Sequence, residues 1–186
     1  MFHFKQLIMY GMCNNSMTIT YDDVKKAQET QSEIIRKTSL EFSETFSKIC
    51  GAKVFLKNEY EQKTGSFKIR GAYYKIKSLT NEQKSKGVVA ASAGNHSQGV
   101  AFASNIENIP CTIVMPRTAS PAKVAATKSY GAKVVLEGST YDESWDHAQK
   151  ISTETNATVI HAFDDSNVIA GQGVIGLEIM EELPDV

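Results

Sequence analysis

A chain of 186 residues with 41% hydrophobic and 22% charged side chains has the makeup of a soluble globular protein, one ordinary domain or two small ones. Its net charge of −1 gives no footprint for nucleic acid or an anionic membrane, and no stretch approaches the roughly 20 apolar residues of a membrane span. The three cysteines, Cys13, Cys50 and Cys111, are odd in number and widely spaced; they argue against a disulfide framework or a zinc site and fit a reducing compartment, so the cytoplasm is the expected location.

Residues 1–16 mix Phe2, Phe4, Leu7, Ile8 and Met9 with Lys5, without a helical face or a signal-peptide cleavage pattern. They are expected to be a disordered leader, with the native product beginning near Met17. Thr20, followed by Asp22 and Asp23, predicts a capped helix running to about Ser32. Lys53 to Lys57 alternates and reads as a strand. Helical spacing returns from Phe67 to Leu79, with Ile69, Ala72, Tyr73 and Ile76 recurring every three or four residues. From Gly87 a rhythm sets in. Strands are expected at Gly87–Ala91, Cys111–Met115, Ala132–Leu136 and Ala157–His161. Helices are expected at Asn95–Ile106, Pro121–Tyr130, Thr140–Thr155 and Asn167–Glu182. Such alternation predicts βαβ crossovers, hence an α/β fold with a parallel sheet covered by helices on both faces. The chain stops at Leu183–Val186, where another strand is due, and this reads as truncation.

Two segments carry chemistry. In Thr64-Gly-Ser-Phe-Lys-Ile-Arg-Gly71, Lys68 stands beside an aromatic ring and close to Gly65, Ser66, Gly71 and Ala72. A solvated helix lysine needs no such company. A lysine that forms a Schiff base with a flat, phosphorylated cofactor does, because it needs close backbone approach, an aromatic neighbour and shelter favouring the neutral amine. Phe67 reads equally as a ring lying on that cofactor or as core. The second segment, Ser92-Ala-Gly-Asn-His-Ser-Gln-Gly99, joins a strand to a helix. A helix N-terminus at the carboxyl end of a parallel strand receives anions such as a substrate carboxylate. The plainer reading is a tight turn with Asn95 as the helix cap. His96 lines the site or is a satisfied structural imidazole. His147 and His161 form no metal-ligand spacing, and Trp145, Tyr73 and Tyr74 read as packing. Gly171 and Gly173 contact a ligand or serve helix–sheet packing.

These segments, with Ala162-Phe-Asp-Asp165 and Val168-Ile-Ala-Gly-Gln-Gly173, resemble the serine/threonine dehydratases, fold-type II (tryptophan synthase β-like) pyridoxal-phosphate enzymes to which serine racemases are related. The resemblance runs from about Met17 to Val186. It implies pyridoxal 5′-phosphate held by Lys68, with Phe67 against its ring and Asn95 on its 3′-oxygen. It also implies that Ser92, Ala93, Gly94, Asn95 and His96 receive the substrate carboxylate, and that Lys68 removes the α-proton. The implied activity is threonine/serine ammonia-lyase, giving 2-oxobutanoate or pyruvate and ammonia from L-threonine or L-serine. The implied architecture is a large cofactor domain begun by 17–86, a small α/β domain at 87–164 and a return at 165–186, in a chain whose relatives form homo-oligomers. Its phosphate loop, pyridine-nitrogen partner and cation ligands are expected in the absent C-terminal half. Racemases of this group carry serine where Ala93 stands, which argues for elimination. The alternatives are serine racemase and a truncated, non-catalytic remnant; a Rossmann nucleotide binder lacks its G-x-G-x-x-G fingerprint.

Overall fold

Thr20 does open a helix. In this computed structural model, which describes residues 18–186, α1 (Tyr21–Gln31) begins with a capping box. The Thr20 hydroxyl accepts from the Asp23 N–H, and the Asp23 carboxylate accepts from the Thr20 N–H. The expected leader lies outside the described residues. Next come elements that hydrophobic alternation did not disclose. β1 (Leu40–Phe42) is followed by α2 (Glu44–Cys50), which ends on Gly51 in the left-handed conformation at φ 65°. β2 (Phe55–Lys57) pairs antiparallel with β1, so the expected strand from Lys53 starts two residues later.

A 3₁₀ turn at Glu59–Glu61 leads to α3 (Lys68–Lys77), and α4 (Asn81–Lys86) follows with a second capping box, Thr80 with Gln83. Then the βα alternation unfolds as read: β3 (Val88–Ala91), α5 (Asn95–Ile106), β4 (Cys111–Met115), α6 (Pro121–Ser129), β5 (Lys133–Leu136), α7 (Tyr141–Thr155), β6 (Thr158–Val159) and α8 (Ser166–Glu182). The four later strands form one parallel sheet in the order β5-β4-β3-β6.

Side chains alternate across this sheet with the period of two that a strand imposes. Val88, Ala90, Ile113 and Met115 join the larger core, which also holds Ile69, Ile76 and Val100 from α3 and α5. Val89, Ala91 and Val114 face the other way and pack with Ala148, Ile151 and Trp145 of α7. Both faces are thus covered, as expected of an all-parallel sheet. A further layer joins α1, α3 and α8 through Ala27, Tyr74, Ala170 and Val174. Among the described residues, no helix is long and apolar enough to cross a membrane, and no group of three His, Cys, Asp or Glu is placed to hold a metal ion.

Helix α3 is gripped from two sides through glycines. A Cβ on Gly99 of α5 would lie 3.1 Å from the Lys68 carbonyl carbon, and one on Gly171 of α8 would lie 2.8 Å from the Arg70 carbonyl oxygen and the Gly71 Cα. One on Gly71 would lie 2.7 Å from the Val168 carbonyl oxygen. This corrects two expectations. Gly71 does not leave room for a ligand beside the lysine; it lets α8 approach. Gly171 serves helix–helix packing, neither helix–sheet packing nor ligand contact, and Gly173 abuts Val24 of α1.

Among the described residues, the largest fully buried side chain is a charged one. Arg70, 0% exposed, gives two hydrogen bonds to Glu59 at 2.8 Å and one to each carboxylate oxygen of Glu178 at 2.7 and 2.9 Å. Lys57 closes the cluster on Glu178 at 2.8 Å. Burial opposes the guanidinium charge, but its hydrogen bonds to Glu59 and Glu178 outweigh it and hold its pKa above the ordinary arginine value. The cluster ties β2, the 3₁₀ turn, α3 and α8 together.

Candidate active site at the carboxyl ends of β3 and β6

The strand order places a topological switch between β3 and β6. The chain steps from β3 to β4 to β5 on one side, then returns to lay β6 along the other edge of β3. The connections leaving the carboxyl ends of these two neighbours diverge, and crevices that bind ligands in open parallel sheets form at such points. Here the flanking segments are the turn Ser92–Gly94 after β3 and residues 160–163 after β6.

Lys68 reaches this crevice from α3. Its Nζ donates to the Ala162 carbonyl at 2.8 Å and lies 5.2 Å from the centre of the Phe67 ring. The side chain is half-buried, and that burial lowers its pKa below the ordinary lysine value. Phe67, 40% exposed, is not core; its ring is free to meet a ligand beside the amine.

On the other side, α5 starts at Asn95 with Gly94 at its cap position and no side-chain cap. Asn95 therefore does not cap the helix. Its side-chain oxygen accepts from Lys123 Nζ of α6 at 3.1 Å, and the residue is exposed. The uncapped first-turn N–H groups are left for an anion. Ser92 Oγ accepts from the Gly94 N–H at 3.2 Å, Ala93 is half-buried against the larger core, and a Cβ on Gly94 would meet nothing within 4 Å. The turn therefore keeps one face open.

His96 points inward and is 3% exposed. Its Nε2 lies 3.0 Å from the Ile160 carbonyl oxygen, which can only accept, so Nε2 carries the proton and Nδ1 is a bare, buried acceptor without a partner. Burial drives its pKa down to about 4; the Lys68 charge adds to the fall and the Ile160 hydrogen bond opposes it. A neutral imidazole with this tautomer offers a carboxylate no donor, so anion reception in this geometry falls to the α5 backbone. The same burial predicts a stability profile. The folded value lies below the 6.5 of an unfolded histidine, so the unfolded chain binds the extra proton between them. The stability contributed by neutral His96 is full above pH 6.5 and drains as pH falls towards 4, a loss on the order of 3 kcal/mol. Urea titrations across this range should show the slope, and His96→Asn should flatten it.

The structure thus brings Lys68, Phe67 and the Ser92–His96 turn to one crevice, with His96 and Lys68 anchored to carbonyls two residues apart. It adds residues that sequence reasoning missed. Lys123 had no motif to mark it, and His161, which shapes the 160–163 segment, was noted only for lacking metal spacing. Asp165 caps α8 by accepting from the Asn167 and Val168 N–H groups and pairs with Lys75 at 2.7 Å. Cys111 is no nucleophile, since burial pushes its thiol up to about 12. For the pyridoxal phosphate that the motifs imply, the fit is good on this chain's side: a half-buried amine with lowered pKa, an exposed aromatic face beside it and an open glycine turn at an uncapped helix N-terminus.

Comparison with known proteins agrees. Residues 31–186 match a family model described as pyridoxal-phosphate dependent enzyme. An L-threonine ammonia-lyase of Thermotoga maritima is 54% identical over 168 residues, 90% of this chain and 42% of that protein. Processed threonine deaminase isoform 2 from Solanum lycopersicum superposes with a TM-score of 0.82 at 38% identity, over 93% of this chain and 49% of the other. Maize serine racemase does so at 0.85 and 36%, over 89% and 50%. The chain spans about half the length of the curated relatives it matches.

Proposed function

The chain belongs to the pyridoxal-phosphate dependent enzyme family, and from that premise we propose that it is the cofactor-anchoring and carboxylate-binding part of a threonine/serine ammonia-lyase. The observation that carries this reading is the half-buried Lys68 amine, hydrogen-bonded at the switch crevice beside the exposed face of Phe67. Residues 17–86 with 165–186 belong to the cofactor lobe, and 87–164 form the smaller one.

Lys68 would hold the cofactor, with Phe67 to pack beside it and the Asn95 side chain to give it a hydrogen bond. Bound cofactor supplies an electron-withdrawing ring that acidifies the α-C–H of an attached amino acid. The backbone of Ser92–Asn95 and the α5 N-terminus orient the substrate carboxylate. Lys68, once its amine is free, removes the α-proton; burial lowers its pKa below the ordinary lysine value, which favours the unprotonated form. The β-hydroxyl leaves as water, and hydrolysis of the released enamine returns that water and frees ammonia with the 2-oxo acid.

Ala93 favours elimination over racemisation, because a methyl group neither gives nor takes a proton at Cα. The cytoplasm and assembly into a homo-oligomer belong to the same proposal, the latter supported by exposed Phe42, Phe46 and Ile49. The test is to load the purified chain with pyridoxal phosphate, add L-threonine or L-serine, and follow cofactor absorbance, 2-oxo acid and serine chirality. The expected result is that any 2-oxo acid formed is accompanied by little D-serine. Substantial D-serine would replace the reading by racemase, and cofactor uptake with no response to either amino acid would replace it by a non-catalytic remnant.

A further inference from the structure

Beyond the carboxyl end of β6 the chain turns around a side chain. His161 Nδ1 accepts from the Asp164 N–H at 2.7 Å and from the Phe163 N–H at 3.3 Å. Two N–H donors on one ring nitrogen require that nitrogen to be bare, so the proton belongs on Nε2. Asn, Asp and Ser are the residues that usually turn a chain through a side-chain acceptor, reaching N–H groups two or three residues ahead. Here an imidazole does so. Its ring is fixed from two sides, by the edge-on contact with Trp145 at 5.1 Å and with Phe163 at 4.6 Å. Trp145 in turn stacks on Tyr141.

The residue enclosed by this turn is Ala162, whose carbonyl accepts from Lys68 Nζ. A carbonyl at the apex of a turn swings freely unless the flanking peptide units are held. On one side the Ile160 carbonyl is held by His96, and on the other the Phe163 and Asp164 N–H groups are held by His161. We infer that His161 is a positioning residue for Lys68: it fixes the turn that aims the Ala162 carbonyl at the lysine amine and so docks that amine between the turn and Phe67. The geometry stands by itself; its consequence for cofactor chemistry rests on the reading of Lys68 given above. An amine docked in one place attacks an incoming aldehyde from one direction, whereas an untethered lysine samples many.

Competitive acetylation of the full chain with limiting acetic anhydride, read by peptide mass spectrometry, tests the docking without any cofactor. Exposed Lys63 serves as the reference amine and Lys57, with its side chain 7% exposed, as the control for global loosening. His161→Phe keeps an aromatic body for Trp145 and removes the acceptor; His161→Asn restores an acceptor with the reach of an Asn turn. Lys68 acetylation is expected to rise roughly 2- to 10-fold in His161→Phe, the factor one hydrogen bond allows. Lys57 should stay unchanged and His161→Asn should return towards the parent value. Unchanged Lys68 reactivity in His161→Phe overturns the inference, as does a His161→Asn protein equally reactive. If Lys57 rises too, imidazole ¹⁵N shifts of the unaltered chain decide instead: a bare Nδ1 supports the inference and a protonated Nδ1 overturns it. Borohydride capture of pyridoxal phosphate at Lys68, run separately, reports on the cofactor reading alone, so either can fail without the other.

Discussion

Replacing Lys68 by alanine is expected to abolish borohydride-fixed capture of pyridoxal phosphate and, where the parent chain dehydrates L-threonine, to slow that reaction on the order of 10³-fold. The loss should be chemical rather than structural. Lys68 Nζ makes one hydrogen bond, to a loop carbonyl, and the helix that bears it is held by other residues. Thermal melts of the variant should therefore overlay the parent. Lys68→Arg should not rescue, because a guanidinium stays protonated and neither forms the covalent link nor accepts a proton. Peptide mass spectrometry decides the matter: the parent adduct belongs on Lys68, and an adduct mainly on Lys63 or Lys123 would remove the basis of the functional reading.

The second large effect is on stability. Arg70→Met is expected to cost about 3–5 kcal/mol in urea or thermal unfolding. It strands Glu178 and Glu59 in a cluster that only Lys57 still compensates, and a buried carboxylate without its partner is expensive. Removing Glu178 as well, in Arg70→Met/Glu178→Met, should recover part of that cost, because two apolar side chains of similar bulk leave less charge unpaired. A double variant no better than the sum of the singles would show that the residues act independently. Arg70→Lys should behave like a lesion too, since one ammonium cannot satisfy two carboxylates in the bidentate manner of the guanidinium.

How far the fold was legible followed from punctuation and length. β4 and α5 matched their expected limits, β4 because Pro110 and Pro116 bracket an apolar run. β1 and α4 went unseen because three and six residues give a periodic pattern too little to repeat, and the signal for α4 was its cap at Thr80 and Gln83 rather than hydrophobicity. Ala157–His161 shrank to a ladder of two residues, as only Thr158 and Val159 pair with β3. For the site, the motifs named the lysine and the turn, but not the direction of each neighbour. Gly71 stands three residues from Lys68, yet its bare face meets α8, and a glycine's identity does not say which partner needs the space. Arg70 was passed over because a charged side chain is ordinarily solvated. Its burial depends on Glu59 and Glu178, the latter 108 residues away, which no local pattern reveals. His161 was hidden for the same reason in reverse: its partners are backbone N–H groups, which every sequence possesses.

The glycine contacts on either side of α3 make that helix an axle seated in two bearings. Because backbone meets backbone there, no side chain can flex to absorb an added methyl group, and any thickening at position 71, 99 or 171 would be passed on to the helix as a shift or a tilt. The reactive amine rides near one end of that shaft, so small displacements at sites that touch no ligand would reappear as misalignment at the crevice.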